Sequence, residues 1–419
     1  MRKLKNILIL GGGDSTRFWP LTDKVIFPFL GRFLIEYIIE QVYPYASSII
    51  VVAHPTIEKK IKKIVDQKVK VLLQKETSLG MAGAVLAAKN VIKNEEVLIL
   101  NGSDLLEFSF LTDFIKKVRA GKKLVVAAKE VKNYFPGGYL KFNQNGQLME
   151  ILEKPKILPS PFYKLVVDYF YDFGVFLEKI LKLKKIIKDD CLYEEGLNLA
   201  IKELKEVGVF YYQKDFYSLK YPWHVLSLTC YFLKAIKKNY FGKNVSISKK
   251  AIIIEPVYFS DGVKVGDYAK IVGPTFVGRN TFIADYTLVN NSHIGEDCLI
   301  GGYSEVTRSY LGNKVFLHRN YVGDSVIADN VLIGAEAVVA NFRFDGNKIK
   351  SEINKEKIST DFLKLGAIIG EGSKIGVNAT LLPGVKIGKK TFIGPNQLVK
   401  EDIGDYKFFF NNKLRENIF

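Results

Sequence analysis

The chain has 419 residues, 48% hydrophobic and 25% charged, with 61 Lys+Arg against 44 Asp+Glu for a formal charge of +17. That balance excludes a disordered chain, which could not bury enough apolar surface to offset its ordering entropy, and the length implies two or three domains. No stretch reaches the roughly 18 uninterrupted apolar residues of a membrane span, the amino-terminal apolar run is too short for a secretory signal, and no nucleic-acid recognition motif accompanies the scattered lysines.

Up to about residue 240, short apolar runs alternate with amphipathic stretches. Ile7–Leu10, Ile49–Val52, Val69–Leu73 and Val97–Leu100 read as buried strands, and Leu34–Val42 and Met81–Val91 as helices between them. Strand alternating with helix predicts an α/β, Rossmann-like layer with a mostly parallel sheet, whose ligands bind at the carboxyl ends of the strands. The first strand runs into Gly11-Gly12-Gly13-Asp14-Ser15-Thr16-Arg17. A dinucleotide fingerprint needs glycine at Thr16 and an acidic residue ending the second strand, where Ala53-His54-Pro55 stands; a phosphate-binding P-loop needs Gly-Lys-Ser/Thr. What remains is a flexible turn whose backbone N–H groups can face phosphates, followed by cations at Arg17 and Lys24. Three cysteines, Cys191, Cys230 and Cys298, show no metal-ligand spacing and fit a reducing cytoplasm. Trp223–Lys238 reads as a helix joining this half to the next.

From about residue 245 the period changes. Ile247, Ile253, Phe259, Val265, Ile271, Val277, Ile283 and Val289 recur every six residues, and Ile369, Ile375, Leu381, Ile387, Ile393 and Val399 repeat the pattern later. A period of six is neither helical nor that of an open sheet; it is the signature of a parallel β-helix with one inward aliphatic side chain per side of the coil. The phase slips at Ile294 and Ile300, Ser304–Lys314 is irregular, and Asn341 to about Leu365 has no hexad, so it reads as a loop ejected from the coil. The expected organisation is an α/β domain at 1–235, a linker at 236–243, a left-handed β-helix at 244–403 and a tail at 404–419.

The string Ile7-Leu8-Ile9-Leu10-Gly11-Gly12-Gly13-Asp14-Ser15-Thr16-Arg17-Phe18-Trp19-Pro20-Leu21-Thr22 resembles the opening signature of sugar-1-phosphate nucleotidylyltransferases, and Lys24, Gln74, Leu79-Gly80 with Ala82, Asn101-Gly102-Ser103-Asp104, Gly138 and Glu153-Lys154-Pro155 extend the likeness. Phe316 to Ile327, with His318-Arg319-Asn320-Tyr321, followed by Asn341-Phe342-Arg343-Phe344-Asp345-Gly346, resembles the acetyltransferase centre of the archaeal-type bifunctional enzymes of this family. The resemblance covers nearly the whole chain. It implies nucleotidyl transfer from a nucleoside triphosphate, UTP or dTTP, to a sugar 1-phosphate, and acetyl transfer from acetyl-CoA to an amino-sugar phosphate. It also implies Mg²⁺, a homotrimer built through the β-helix, and no nucleic-acid or membrane partner.

Residue by residue, the resemblance implies that Gly11, Gly12, Gly13, Gln74 and Gly80 bind the nucleotide, with Arg17 taking the leaving phosphates and Lys24 the α-phosphate or sugar phosphate. Asp104 would hold Mg²⁺, and Gly138, Glu153 and Asp168 would meet the sugar. In the β-helix, His318 would be the general base, Tyr321 and Asn341 would position the sugar, and Lys348 or Lys350 would meet its phosphate. Departures stand where the metal belongs: Ser103 replaces the family's Asp, which is displaced to Asp104, and Ser218 falls where a second ligand is expected. They leave open a non-catalytic or regulatory sugar-nucleotide-binding assembly subunit with a degenerate metal site, since fold alone does not settle activity.

Overall fold

A computed structural model describes residues 3–118, 120–132, 134, 137–189 and 191–416. The chain packs as two units: the described residues up to Asp14 with Phe33–Ser218, and Ser15–Arg32 with the described residues from Leu219 onward.

The first unit is a mixed sheet with helices against it. Strands β1 (Leu4–Gly11), β2 (Ala46–Ala53), β3 (Val69–Leu73) and β4 (Val97–Asn101) run parallel in the order β4-β1-β2-β3. Ile7, Leu8, Ile9, Ile50, Val51, Leu98 and Ile99 are fully buried, as continuous apolar runs covered on both faces require. Beyond β4 the direction reverses. Phe162–Phe170 lies antiparallel to β4, Leu124–Glu130 lies antiparallel to Phe162–Phe170, and Gly138–Phe142 with Leu148–Glu153 forms a hairpin on the edge. The expected mostly parallel sheet is therefore mixed: its first four strands are parallel and Val207–Tyr211 pairs parallel with Leu124–Glu130, but the pairings around Phe162–Phe170 and in the edge hairpin are antiparallel. A short polar turn at Asn143–Gln147, with Gly146 at φ 72°, joins the hairpin strands directly, and no crossover helix intervenes to keep them parallel. Leu34–Val42 and Gly80–Ala88 form the expected helices, the second ending earlier than its alanine pattern suggested.

The second unit is a coil of short strands stacked into three parallel sheets, consistent with a left-handed β-helix. Each hexad aliphatic residue points inward: Ile271, Val277, Ile283, Val289, Ile294, Ile300, Val306, Leu311, Leu317, Val322, Ile327 and Ile333 are all fully buried. The phase slips seen in the sequence are changes in coil length. Stacked partners lie 18 residues apart at Ile247↔Val265, 17 at Val277↔Ile294 and 16 at Leu311↔Ile327, so the corners shorten while the strands stay in register. Ser304–Lys314, irregular by period, is therefore regular coil, with strands at Glu305–Thr307 and Tyr310–Leu311.

Asn341–Leu365 leaves the coil and carries a hairpin of Lys350–Ile353 with Glu356–Ser359. Its ends meet where Leu365 N–H donates to the Asn341 carbonyl at 2.9 Å. Tyr240–Phe241, read as linker, is already a coil strand paired with Val257–Phe259, and Lys407–Phe410, read as tail, extends one sheet parallel to Phe392–Ile393.

One face of the coil carries the aromatic column Tyr258, Phe276, His293, Tyr310, stacked at 4.4–5.2 Å. The segment Ser15–Arg32 and the helix His224–Lys234 pack onto this unit. Tyr310 Oη donates to the Pro28 carbonyl at 3.0 Å, Phe29 stacks on Phe232 at 5.0 Å, and Trp19 Nε1–H donates to Asp405 Oδ1 at 2.8 Å.

Candidate functional site

In the first unit the glycine turn closes over a buried amide. Gly11 ends β1, and a Cβ on Gly12 would lie 1.8 Å from Gln74 Oε1, so only glycine fits there. Gln74 is fully buried at the end of β3; its Nε2 donates to the carbonyls of Gly80 at 2.8 Å and Glu76 at 3.3 Å, while Oε1 has no partner. Gly80 turns into the following helix at φ 53°, ψ −130°, a conformation open to glycine alone. Gly13 faces open space. Asp14 is held by His54, whose Nε2 lies 3.0 Å from Asp14 Oδ1 while Nδ1 meets Thr56 Oγ1 at 2.8 Å. His54 reaches the glycine turn because β2 ends beside the loop after β1, a proximity that nothing in a linear string shows.

Asp104 and Ser218, the two positions marked in the sequence for the metal, are brought together. They are register partners of a two-stranded ladder, Asp104 is buried, and its Oδ1 accepts from Ser218 Oγ at 2.7 Å. Ser103 turns instead to Asn101, donating to its Oδ1 from N–H at 3.2 Å and from Oγ at 3.1 Å. Burial, with the Asp104 and Glu153 carboxylates near it, holds the Tyr163 hydroxyl well above the usual tyrosine range. Among the described residues there is no group of three His, Cys, Asp or Glu placed to hold a metal. Mg²⁺, however, keeps several waters and is commonly bound by one or two carboxylates plus substrate phosphates. A buried carboxylate beside a hydroxyl oxygen fits that requirement in its minimal form.

Gly138 and Glu153 are neighbours on the edge hairpin: a Cβ on Gly138 would stand 3.4 Å from Glu153 Oε2 and 3.6 Å from Lys164 Cβ. Asp168 is completely buried. Its Oδ2 accepts from Lys164 Nζ and from Tyr193 Oη, each at 2.7 Å, and its Oδ1 has no partner. Burial raises its pKa against the pull of Lys164. Asp168 thus holds Lys164 and Tyr193 rather than facing solvent. Glu194, on the same helix as Tyr193, is pushed up to about 7, mainly by burial, with Lys164 opposing and Glu153 adding to the shift. Lys164, Tyr193 and Glu194 gave no signal in the sequence, because a register shift between Leu165 and Asp168 is what turns Lys164 toward Asp168. Arg17, in the turn Thr16–Phe18, and Lys24, opening Lys24–Ile26, are half-buried residues of the segment that belongs to the second unit.

In the second unit His318 is exposed at a coil corner, its backbone N–H donating to Asn320 Oδ1 at 2.6 Å. Three residues on, Tyr321 Oη accepts from Asn341 Nδ2 at 3.1 Å; the same Nδ2 donates to Asp324 Oδ2 at 2.6 Å. Arg308 grips Asp324 with Nε and Nη2, both at 2.7 Å. Tyr321 and Asn341, both expected to position the sugar, therefore lie in hydrogen-bond contact. Asp324 gave no signal of a role there, and Arg308, lost in the apparently irregular stretch, was not visible. Lys348 and Lys350 are exposed on the ejected loop, Lys348 paired with its own loop's Asp361 at 2.8 Å.

A glycine turn at the carboxyl end of a sheet, joined in one chain to a hexad coil with an exposed histidine at a corner, is the layout of a two-domain transferase. The model of the nucleotidyl transferase family matches residues 6–217, and that of the bacterial transferase hexapeptide (six repeats) matches residues 366–396. The chain is 34% identical to the bifunctional protein GlmU of Methanococcus vannielii over 96% of this chain and 97% of that one, and 34% identical to the GlmU of Methanocaldococcus jannaschii over the same shares. It is 33% identical to the bifunctional sugar-1-phosphate nucleotidylyltransferase/acetyltransferase of Sulfurisphaera tokodaii, over 96% and 98%. The chain belongs to this family of bifunctional nucleotidyl- and acetyltransferases.

Proposed function

We propose that the protein makes nucleotide sugars by two transfers. One passes an acetyl group from acetyl-CoA to the amine of an amino-sugar phosphate; the other passes a nucleotidyl group from UTP or dTTP to a sugar 1-phosphate. The observation that carries this reading is the assembly of Tyr321, Asn341 and Asp324 at the mouth of the ejected loop, one short strand on from the exposed His318, in a chain whose other unit sets Gly11–Gly13 over a buried Gln74.

For nucleotidyl transfer, the sugar phosphate oxygen attacks the α-phosphorus and pyrophosphate leaves, so catalysis is mostly positioning and neutralisation of charge. Gly11–Gly13 would let backbone N–H groups face the phosphates, Arg17 would take the departing pyrophosphate, and Lys24 the attacking or attacked phosphate. Gln74 Oε1, the unpartnered acceptor, would receive an N–H from the base edge, which uracil and thymine share. Gly80 would let the backbone come close to the base, while Gly138 and Glu153 would hold sugar hydroxyls, with Asp168 acting through Lys164. Mg²⁺, held by Asp104, would supply charge neutralisation on the triphosphate.

For acetyl transfer, the amine nitrogen bonds to the thioester carbon, the carbon–sulfur bond breaks, His318 takes the amine proton, and the thiolate leaves to be protonated as CoA thiol. Lys348 or Lys350 would meet the sugar phosphate. A groove of about 350 Å³ on the sheet that includes the strand before His318, lined by Leu332, Phe392, Pro395 and Phe410, suits the apolar arm of acetyl-CoA. The outward stripe Phe282, Leu299, Phe316, Leu332 on that sheet supports a homotrimer, since such a row on a soluble protein marks an interface. Among the described residues no helix is long and apolar enough to cross a membrane. The free cysteines fit a cytoplasmic setting. A binding-only first unit is the second reading, favoured by the serines at 103 and 218. The test of the acetyl half is His318→Ala: thiol release should fall about two to four decades while nucleotidyl transfer to pre-acetylated sugar phosphate is unchanged. Undiminished thiol release would remove His318 from its role.

A further inference from the structure

We propose that Arg308 and Asp324 form a positioning pair for the acetyl-transfer centre, locking the Asn341 amide so that its Oδ1, and not its NH₂, is presented to the amine of the acceptor sugar. This rests on the acetyl-transfer reading above. Asp324 is nearly buried at a coil corner. Its two carboxylate oxygens receive Arg308 Nε and Nη2 at 2.7 Å each, a bidentate fork that fixes the carboxylate plane. Arg308 and Asp324 both adopt left-handed backbone, at φ 48°, as many corner residues of this coil do, just after strands stacked sixteen residues apart. Thr307 Oγ1 takes Arg308 Nη1 at 2.9 Å, so the guanidinium is itself anchored.

The consequence falls on Asn341. An amide NH₂ has two hydrogens, and here both are assigned: one to Asp324 Oδ2 at 2.6 Å and one to Tyr321 Oη at 3.1 Å. A carboxylate can only accept, so the flipped amide would set Oδ1 against Asp324 Oδ2, two acceptors in contact. Asp324 therefore decides which end of the amide stays uncommitted, and that end is an acceptor. Gly323 makes the contact sterically open: a Cβ there would lie 2.5 Å from Asn341 Nδ2 and 2.7 Å from Tyr321 Oη. Tyr321 keeps its proton, its hydroxyl raised chiefly by burial, so it can accept from Asn341 while still donating. The backbone closes the arrangement, Gly366 N–H donating to the Asp324 carbonyl at 2.8 Å where the ejected loop returns. An acceptor at Oδ1 takes an N–H from the amine and leaves the nitrogen lone pair directed elsewhere, toward the thioester. A flipped amide would present N–H to N–H.

The test uses the full-length protein with glucosamine 1-phosphate and acetyl-CoA, reading thiol release. Asp324→Asn should lower kcat/KM about tenfold to a hundredfold, the scale of a misdirected hydrogen bond, through a raised KM for the amino sugar with KM for acetyl-CoA unchanged. Arg308→Gln should shift the same constant in the same direction by less. The exchange variant Asp324→Asn with Asn341→Asp places a carboxylate acceptor before the amine and an amide donor behind it, so an acceptor again faces the amine, and it should recover to within about fivefold of wild type. Wild-type kinetics in Asp324→Asn, or an exchange variant no better than the single one, would overturn the proposal. A merely structural role would lower the melting temperature without moving the amino-sugar KM or gaining from the exchange. If the wild-type protein released no thiol from any amino-sugar phosphate, the acetyl-transfer reading itself would fail, an outcome distinct from normal wild-type turnover with an indifferent Asp324→Asn.

Discussion

Gly12 and Gly13 are adjacent glycines for which the structure demands opposite tolerances. A methyl group on Gly12 would sit 1.8 Å from Gln74 Oε1, 2.6 Å from its Cδ and 2.9 Å from its Cβ. Gln74 has nowhere to retreat: it is fully buried, and its Nε2 is tied to the Gly80 and Glu76 carbonyls. Gly12→Ala must therefore displace it. The loss comprises two neutral hydrogen bonds at about 1 kcal/mol each and about 1–3 kcal/mol of overpacking strain, so roughly 3–5 kcal/mol in all. It should appear as a lowered denaturation midpoint and a nucleotide KM raised at least tenfold. Gly13→Ala, with nothing within 4 Å of the new carbon, should leave the denaturation midpoint almost unchanged. Removing the obstacle, in Gly12→Ala with Gln74→Ala, should return much of the stability but not the base contact. Equal damage from the two alanines, or a wild-type Gly12→Ala, would refute the packing argument.

Asp104→Asn should reduce pyrophosphate release about a hundredfold or more while thiol release persists, since Asp104 is the carboxylate assigned to the metal; retention of both activities in Mg²⁺ would unseat it. His293 is held neutral in the column between Phe276 and Tyr310, burial lowering its pKa to about 4 against an ordinary 6.5. The unfolded chain then binds the proton first, so its contribution is complete above pH 6.5 and is lost as pH falls toward 4, by about 3 kcal/mol. His293→Phe should flatten that acid limb in denaturation curves, and an unchanged limb would count against the assignment. Lys386, almost fully buried, donates to Asp402, to the Glu352 carbonyl and to Ser351 Oγ, and lies over the Trp19 ring. Lys386→Met should destabilise by about 3 kcal/mol because Asp402 loses its charged partner and keeps only the backbone N–H of residue 386, and adding Asp402→Leu should recover part of it; urea titration of the three proteins decides.

What the sequence disclosed follows from which forces act locally. The hexads were legible because every sixth residue obeys the same burial requirement, and β1 to β4 because strands covered on both faces must be apolar throughout. The glycine turn was legible as a run of three glycines closing a buried strand, of which Gly12 is held to glycine by the packing of Gln74. The antiparallel half of the sheet was not, since pairing direction depends on where distant strands meet. Lys164 faces Asp168 through a register shift, and Arg308 reaches Asp324 because a shortened coil stacks position 308 beside 324; both contacts exist only once the third dimension is set. The meeting of Asp104 with Ser218, which the sequence marked as two separate departures, is a property of one ladder.

The central claim is that one chain carries both transfers. The wild-type protein incubated with glucosamine 1-phosphate, acetyl-CoA, UTP or dTTP, and Mg²⁺ should release free thiol and pyrophosphate, the pyrophosphate requiring the triphosphate and the thiol requiring the amine. Release of neither product, or of one alone across a panel of amino-sugar and sugar 1-phosphates with both triphosphates, would contradict it.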